Sequence, residues 1–391
     1  MKVNTDERLP IKMWLPEGEE LDDKTMGQAR NLANLPPAVK WIGVMPDCHL
    51  GYGMPIGGVL VTQDAVVPNA VGVDIGCGMI AVRFRDVTAD MLSMALLQAW
   101  RIATHVGVPV GMASHKEPKE IPASINLGEQ DPFFDKHRDL IARQLGTLGG
   151  GNHFIELQAE DPGDVVWLML HSGSRALGKA ICDRYHKIAL KYSRDWYTPL
   201  PDPDLAFLPR GAAEHAQYLA EMRFAMRFAE ENRAAMLQAA VAALGDVLGY
   251  SWPAVPEIDM RIETHHNFAR IENHHGANVI VHRKGAVHAK GLVTIPGSMG
   301  TASYIGEGLE NPDSFATCSH GAGRVLGRKQ ANRTITRAQA EESMRGVVFG
   351  IRDGDFDEMP AAYKDIDAVM AAQTDLVRPV YRLRPLAVVK G

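Results

Sequence analysis

GVDIGCG, residues 72–78, places Asp74 and Cys77 three positions apart in a turn that also holds three glycines. Glycine beside a ligand lets the backbone take positive φ and come close to a cation or a phosphate, which a packed core does not require. Four further segments each bring a histidine: GGGNHF (149–154), LHSGSR (170–175), HHNF (265–268) and CSHGAG (318–323). Aspartate, cysteine and histidine are respectively a hard, a soft and an intermediate donor for first-row transition metals. Together the five segments read as one metal site. Its residues are drawn from both halves of the chain, so the fold must bring distant segments together.

Working outward from that turn, the first third of the chain alternates short apolar runs with Gly, Pro and Asp turns: AVKWIGVM, MPDCHLGYGMP, IGGVLVT and VPNAVGVDIGCGMIAVRF. That is the pattern of strands joined by tight loops. Residues 89–106 follow as a helix, with Met91, Leu92, Leu96 and Trp100 spaced to share a face. VVWLMLHS (165–172) is a continuous apolar run, expected as a buried strand ending at His171, and 175–192 reads as helical. Residues 211–244 are rich in Ala, Met, Phe and Arg. They are expected to form a long helix, the main part of a helical insertion over about residues 205–256 that projects from the sheets. β character returns from Asp259 in ANVIVHRKGAV and GLVTIPGSMG, before a helix near residues 363–372 and a short extended tail. Motifs lie on both sides of the insertion. The expectation is therefore an α+β fold, a single large domain over residues 1–391, with mixed and antiparallel β-sheets around a central metal site.

A chain of 391 residues with 46% hydrophobic content can bury a large core. The opening MKVNTDERLPIKMW is charged, and no run approaches the ~20 apolar residues of a membrane span. A cytoplasmic protein with no membrane partner is expected. Cys48, Cys77, Cys182 and Cys318 are scattered and form no CxxC pair, which argues against a disulfide framework or a zinc ribbon and fits a reducing compartment. With 41 Lys and Arg against 47 Asp and Glu, the net charge of −6 gives no general attraction to nucleic acid. A polyanion needs a local patch. One candidate is the run Arg324, Arg328, Lys329, Arg333 and Arg337, which contains no acidic residue and starts four residues after His320; the other reading is a solvated helix face.

Individually the motifs admit plain readings. Cys77 alone could be a buried structural cysteine, the glycines before Asn152, His153 and Glu156 a hairpin turn, and His171 a satisfied core histidine. Arg175 stands where a helix begins, a sensible place for an anion. ETHHNFARIENHHG has two His pairs nine residues apart, which no single helix face presents to one metal, so at most one of His265 and His266 binds. PGSMGTASY (296–304) offers backbone N–H groups and hydroxyls suited to phosphate or ribose, or is a surface turn. In CSHGAGR, His320 has backbone donors and Arg324 beside it, a setting for nucleophilic attack on phosphorus with Arg324 stabilising the developing charge, or for a further metal ligand. Rossmann and Walker patterns are missing, so a nucleotide would be held in another way.

GVMPDCHLGYGMPIGGV, GVDIGCGM, GTLGGGNHFIEL, MLHSGSR, HHNFARIE, RKGA, IPGSMG, SHGAGR and the closing Lys390-Gly391 follow one another as in the RtcB family of RNA-splicing ligases. The chain resembles that family over essentially its whole length, least in residues 183–256. The resemblance implies that Asp74, Cys77, His153, His171 and His266 bind two Mn²⁺ ions. Cys77 would be shared, Asp74 and His153 completing one site and His171 and His266 the other. It also implies that His320 takes GMP from GTP; Arg324, beside it, and Arg175, at a helix start, are read from their positions as further catalytic residues. The nucleotide would meet Asn152, His153, Phe154, Ile155, Glu156, Asn267, Pro296, Gly297, Ser298, Met299, Ser303, the loop of His320, Gly321, Ala322 and Gly323, and Lys390. The implied substrates are RNA 3′-phosphate or 2′,3′-cyclic phosphate ends and 5′-hydroxyl ends, joined through an RNA(3′)pp(5′)G intermediate, and an archease-type activator is an implied partner. Ligand softness and affinity order alone favour Zn²⁺ at a Cys and His site, so Mn²⁺ rests on the resemblance. Two other classes use the same residues: a dinuclear metal phosphoesterase without covalent nucleotide, and a noncatalytic RNA-end binding protein.

Overall fold

The computed structural model describes residues 1–125, 132–251, 254–350 and 356–391. Its larger sheet has seven strands in the order Ile258–His265, Gly78–Thr88, Val165–Ser172, Phe154–Glu160, Val377–Lys390, Ser303–Leu309 and Lys290–Ile295, every neighbouring pair antiparallel. The sheet curls until its two edges approach each other, and Thr264 Oγ1 lies 2.9 Å from Thr294 Oγ1. A second sheet orders Lys2–Asn4, Ile11–Met13, Ile42–His49, Ile56–Thr62, Ala277–Lys284 and Asn267–His274. Ile11–Met13 and Ile42–His49 run parallel and the other pairs antiparallel, so this sheet is mixed. The chain passes from one sheet to the other at His266, the one residue between Ile258–His265 and Asn267–His274. The protein is thus α+β, with both sheets meeting where the histidine motifs lie.

The helices cover the sheets. Met94–Gly107 begins after Ser93, whose hydroxyl accepts from Leu96 N, and it buries Leu97, Trp100 and Thr104. Met91 falls outside this helix and is exposed, because the apolar spacing from residue 89 spans a separate short turn, Ala89–Met91. Residues 211–244 form Ala213–Leu248, closed by Gly249 in the left-handed conformation. This helix is packed against the sheets and does not project from them. Its apolar residues are spread around the axis, as in a helix buried on most sides. Met222, Phe224 and Phe228 join the core with Ile181 and Tyr185 of the helix Arg175–Asp195. Met236, Ala240 and Leu244 join Leu97 and Trp100. Each buried phenylalanine contributes roughly 1.5–3 kcal/mol.

The expected short tail is the strand Val377–Lys390, 14 residues long, between Phe154–Glu160 and Ser303–Leu309. Pro379 and Pro385 break the alternation that marks a strand, and the structure accommodates them at register shifts on either side. Among the described residues no helix is long and apolar enough to cross a membrane. All four cysteines are free and buried.

Candidate metal and nucleotide cleft

Strand ends deliver the metal donors. Cys77 immediately precedes Gly78–Thr88, whose first residue pairs with both Ser172 and His265, so Cys77, His171 and His266 arrive at one end of the larger sheet. The ligand atoms of Cys77, His171 and His266 lie within 4.8 Å of one another, as do those of Asp74, Cys77 and His153. Cys77 Sγ is 3.2 Å from His171 Nε2 and 3.4 Å from His153 Nε2; His171 Nε2 is 2.9 Å from His266 Nε2; His153 Nε2 is 3.1 Å from Asp74 Oδ2. Donors about 2.0–2.3 Å from one ion stand roughly 3–4 Å from each other.

The outer nitrogen of each histidine is already used. Nδ1 of His153 lies 2.8 Å from Leu148 O, that of His171 3.1 Å from Asn152 O and that of His266 3.2 Å from Asn267 Oδ1. Facing carbonyl oxygens, these nitrogens carry hydrogen and donate, which fixes the tautomer and leaves each Nε2 as a lone pair. Asn267 Oδ1 also accepts from Gly285 N, and its amide nitrogen donates to Asp74 O, so the amide orientation is determined. Burial and neighbouring imidazoles push His171 and His266 well below the usual histidine range, so neither is charged. The Nε2 lone pairs of two neutral rings therefore face each other at 2.9 Å, beside a thiol and a carboxylate. Asp74 Oδ1 is buried without a hydrogen-bond partner. Such a set is unfavourable by itself and suits cations between its members. Burial and the Asp74 charge push the Cys77 thiol well up, and an adjacent divalent ion reverses that preference.

His320 stands on the other side of His266, with ring centroids 4.8 Å apart. Its Nδ1 is 2.6 Å from Asp47 Oδ2, which also accepts from the backbone N–H groups of His320 at 2.9 Å and Gly321 at 3.3 Å. Gly323, at φ +73°, lets this loop settle on the strand: a Cβ there would be 2.0 Å from Asp47 O. Asp47 is fully buried, and the sequence reading missed it. The available signal was an acidic residue within the otherwise apolar strand Ile42–His49.

A cavity of about 720 Å³ opens onto both groups, a volume suited to a nucleotide. Asp74, Cys77, His171, His266 and His320 line it with Asn152, Phe154, Glu156, Asn267, Pro296, Gly297, Ser298, Met299, Ser303, Gly321, Ala322, Gly323, Arg324 and Lys390. His153 lies on the metal side. Ile155 is not in the lining: strand alternation sends Phe154 and Glu156 to the cleft and Ile155 to the core beside Leu157 and Val389. Arg175 also lies outside the lining, donating to Thr147 Oγ1 and Gly111 O behind the glycine loop. A Cβ on Gly149, at φ +92°, would strike that guanidinium and His153 Nδ1. Arg324 is at the cleft, but its guanidinium donates to Leu326 O, Asp357 O, Glu358 and Tyr363.

Lys390 pairs with Phe154 across the strands, and its ammonium is 3.0 Å from Glu358 Oε2. Glu358 also receives Arg328; despite its burial, the charges of Lys390 and Arg328 hold its carboxyl down at about 2. Glu156 has no such set of partners, and burial raises it to about 8 against a hydrogen bond from Gln158 and the Lys390 charge.

A family model described as tRNA-splicing ligase RtcB matches residues 28–127 and 123–391. The RNA-splicing ligase RtcB of Escherichia coli is 40% identical over 411 residues, covering 99% of this chain and 98% of that protein. The tRNA-splicing ligase RtcB of Thermococcus kodakarensis is 31% identical over 465 residues, 100% of this chain and 94% of its own. The RNA-splicing ligase RtcB of Mycobacterium tuberculosis is 32% identical over 437 residues, 93% and 100%. The chain belongs to the RtcB family of RNA-splicing ligases.

Proposed function

We propose that this chain is a GTP- and Mn²⁺-dependent RNA ligase, acting in tRNA splicing or RNA repair. It joins 3′-phosphate or 2′,3′-cyclic phosphate ends to 5′-hydroxyl ends through a guanylylated His320, and residues 1–391 work as one domain. The observation that carries this reading is the 2.6 Å contact between Asp47 and His320 Nδ1. A buried carboxylate on Nδ1 fixes the hydrogen there and leaves Nε2 with the lone pair, as a nitrogen nucleophile requires.

Nε2 attacks the α-phosphorus of GTP; the N–P bond forms, the bridging P–O bond to the β-phosphate breaks, and pyrophosphate leaves with its electron pair. Asp47 balances the positive charge that develops on the ring. Divalent cations held by Asp74, Cys77 and His153, and by Cys77, His171 and His266, would supply neutralisation of the triphosphate. A 2′,3′-cyclic end is first opened by water, whose oxygen bonds to phosphorus as the P–O2′ bond breaks and the 2′-oxygen takes up a proton. An oxygen of the RNA 3′-phosphate then attacks the histidine-bound phosphorus and returns the N–P pair to Nε2, giving RNA(3′)pp(5′)G. The 5′-hydroxyl oxygen attacks the RNA phosphorus, loses its proton and expels GMP. Arg324 and Arg175 act beside these steps, Arg324 from the cleft wall and Arg175 by supporting the loop of His153. Glu156 and Lys390 share one face of the paired strands. A carboxylate accepting from N1–H and N2–H₂ and an ammonium donating to O6 select guanine over adenine.

Incubation with α-labelled GTP and Mn²⁺ tests the reading. Acid-labile label on His320 is expected; RNA-end hydrolysis without covalent label would instead identify a phosphoesterase, and RNA binding without either reaction a noncatalytic protein. An archease-type activator would accelerate the labelling step. Cytoplasmic RNA is the expected substrate pool.

A further inference from the structure

The run of Arg324, Arg328, Lys329, Arg333 and Arg337 divides into two kinds of residue. Arg324 and Arg328 turn inward to Asp357 and Glu358, and Arg337 pairs with Glu341. Lys329 and Arg333 are exposed and, among the described residues, contact no carboxylate, ring or carbonyl. Both stand on the short helix Arg328–Thr334, whose opposite side is fixed: Ala331 and Ile335 lie in a core cluster, and Asn332 Oδ1 accepts from Phe356 N at 2.7 Å. Four residues apart, Lys329 and Arg333 are neighbours on the outer face. The residues on either side of Lys329, Arg328 and Gln330, line the cleft, and Arg333 continues the outer face one turn further from it.

Two cations that have no partner among the described residues, on a helix beside the cleft, stand out in a chain of net charge −6. Ammonium and guanidinium groups suit phosphate oxygens, and the helix presents no aromatic side chain on which a base could stack. We infer that the helix Arg328–Thr334, through Lys329 and Arg333, is a track for the sugar–phosphate backbone of single-stranded RNA whose end enters the cleft. The inference rests on the ligase reading above and deepens it: the track reads charge and is indifferent to base sequence.

The test is the full chain carrying Lys329→Ala and Arg333→Ala, compared with a charge-preserving Lys329→Arg, Arg333→Lys variant. Labelling by α-labelled GTP should stay at the wild-type level, since neither residue lines the nucleotide cavity. Binding of a single-stranded 3′-phosphate RNA, a 5′-hydroxyl RNA, or both, followed by fluorescence anisotropy, should weaken on the order of ten-fold at low salt. The slope of log affinity against log salt should become shallower by roughly 1.4, about 0.7 for each phosphate contact removed. The effect should be equal for unrelated sequences, and the charge-preserving variant should restore it. Loss with only one of the two RNAs assigns the track to that strand. Unchanged affinity and slope for both, or failure of the charge-preserving variant to recover binding, overturns the inference. If the wild type binds RNA but never becomes labelled, the ligase reading fails, while the anisotropy comparison still decides the track.

Discussion

Arg233, buried at the middle of the long helix, meets Glu263 at 3.0 Å directly beneath the metal turn. The same guanidinium donates to Gly76 O and Ser172 O, each at 3.0 Å. One side chain therefore ties the helix Ala213–Leu248 to the turn that carries Cys77 and to the strand end that carries His171. Its neighbour Asn232 donates to Thr147 O and Gly173 O and accepts from Gly146 N, completing the support.

Replacing Arg233 with methionine keeps the bulk but removes the guanidinium from Ser172 O, leaves Gly76 O only the contact with His265 Nδ1 and leaves Glu263 only Arg261. Breaking a buried ion pair from one side costs about 3–5 kcal/mol. The lower end is expected here, because Glu263 keeps its pair with Arg261 and some access to water. Chemical denaturation should report that loss, and Mn²⁺ titration of the still-folded protein should show weaker binding. Wild-type stability together with two tightly held ions would show that the guanidinium is not the tie.

The sequence exposed this site unevenly, for physical reasons. The residues expected at a metal or a nucleotide stand out because glycines surround them, and the cleft lining gathers nearly all of them. Residues that work through another residue carry no such mark. Asp47 sits in MPDCH, where an aspartate after proline reads as a turn, and Arg233 is one of several arginines in an apolar helix. Ile155 lies between Phe154 and Glu156 and so reads as a nucleotide contact, yet strand alternation turns it to the core. The order of strands is hardest to see, since Phe154–Glu160 and Val377–Lys390 pair across more than half the chain.

Cys77 belongs to both donor groups, whereas Asp74, His153, His171 and His266 each belong to one. Cys77→Ser should therefore weaken both bound ions, and His153→Ala mainly one. Serine keeps the shape but loses the thiolate, so nucleotide transfer should be lost with little change in melting temperature of the metal-free protein. Two tightly bound Mn²⁺ ions in Cys77→Ser, measured by elemental analysis after dialysis, would refute sharing.

The end of the cleft lined by Glu156 and Lys390, where we propose that guanine binds, should respond to pH. Burial raises Glu156 to about 8, so at pH 7 its carboxyl holds a proton that the unfolded chain, with an ordinary carboxyl, does not. Folding stability attributable to this group is then present at low pH and falls as pH rises to about 8. A guanine that donates N1–H and N2–H₂ favours the ionised form, so GTP affinity should rise with pH through that range, by at most about one log unit per pH unit. Glu156→Gln should remove this rise, leaving only the titration of GTP itself, and deletion of residues 390–391 should narrow the preference for GTP over ATP. Identical pH profiles for wild type and Glu156→Gln, or unchanged nucleotide selectivity in the truncated protein, would dissociate the two residues from the base.

His320 and Asp47 separate the chemical steps. The rings that converge on the metal donors do not include His320, so His320→Ala should keep both ions while losing all label from α-labelled GTP. It should still seal a 5′-hydroxyl strand to a pre-made RNA(3′)pp(5′)G end, because that displacement follows the release of GMP from histidine. Asp47→Asn keeps the backbone loop but replaces the acceptor that fixes the Nδ1 hydrogen, so labelling should slow by about 10²–10⁴-fold. Sealing of the pre-made end should again be spared. Label mapped to Lys390 or another side chain, or joining of unactivated RNA by His320→Ala with GTP, would remove His320 from the reaction; equal loss of both steps in Asp47→Asn would make Asp47 a structural support for the whole cleft.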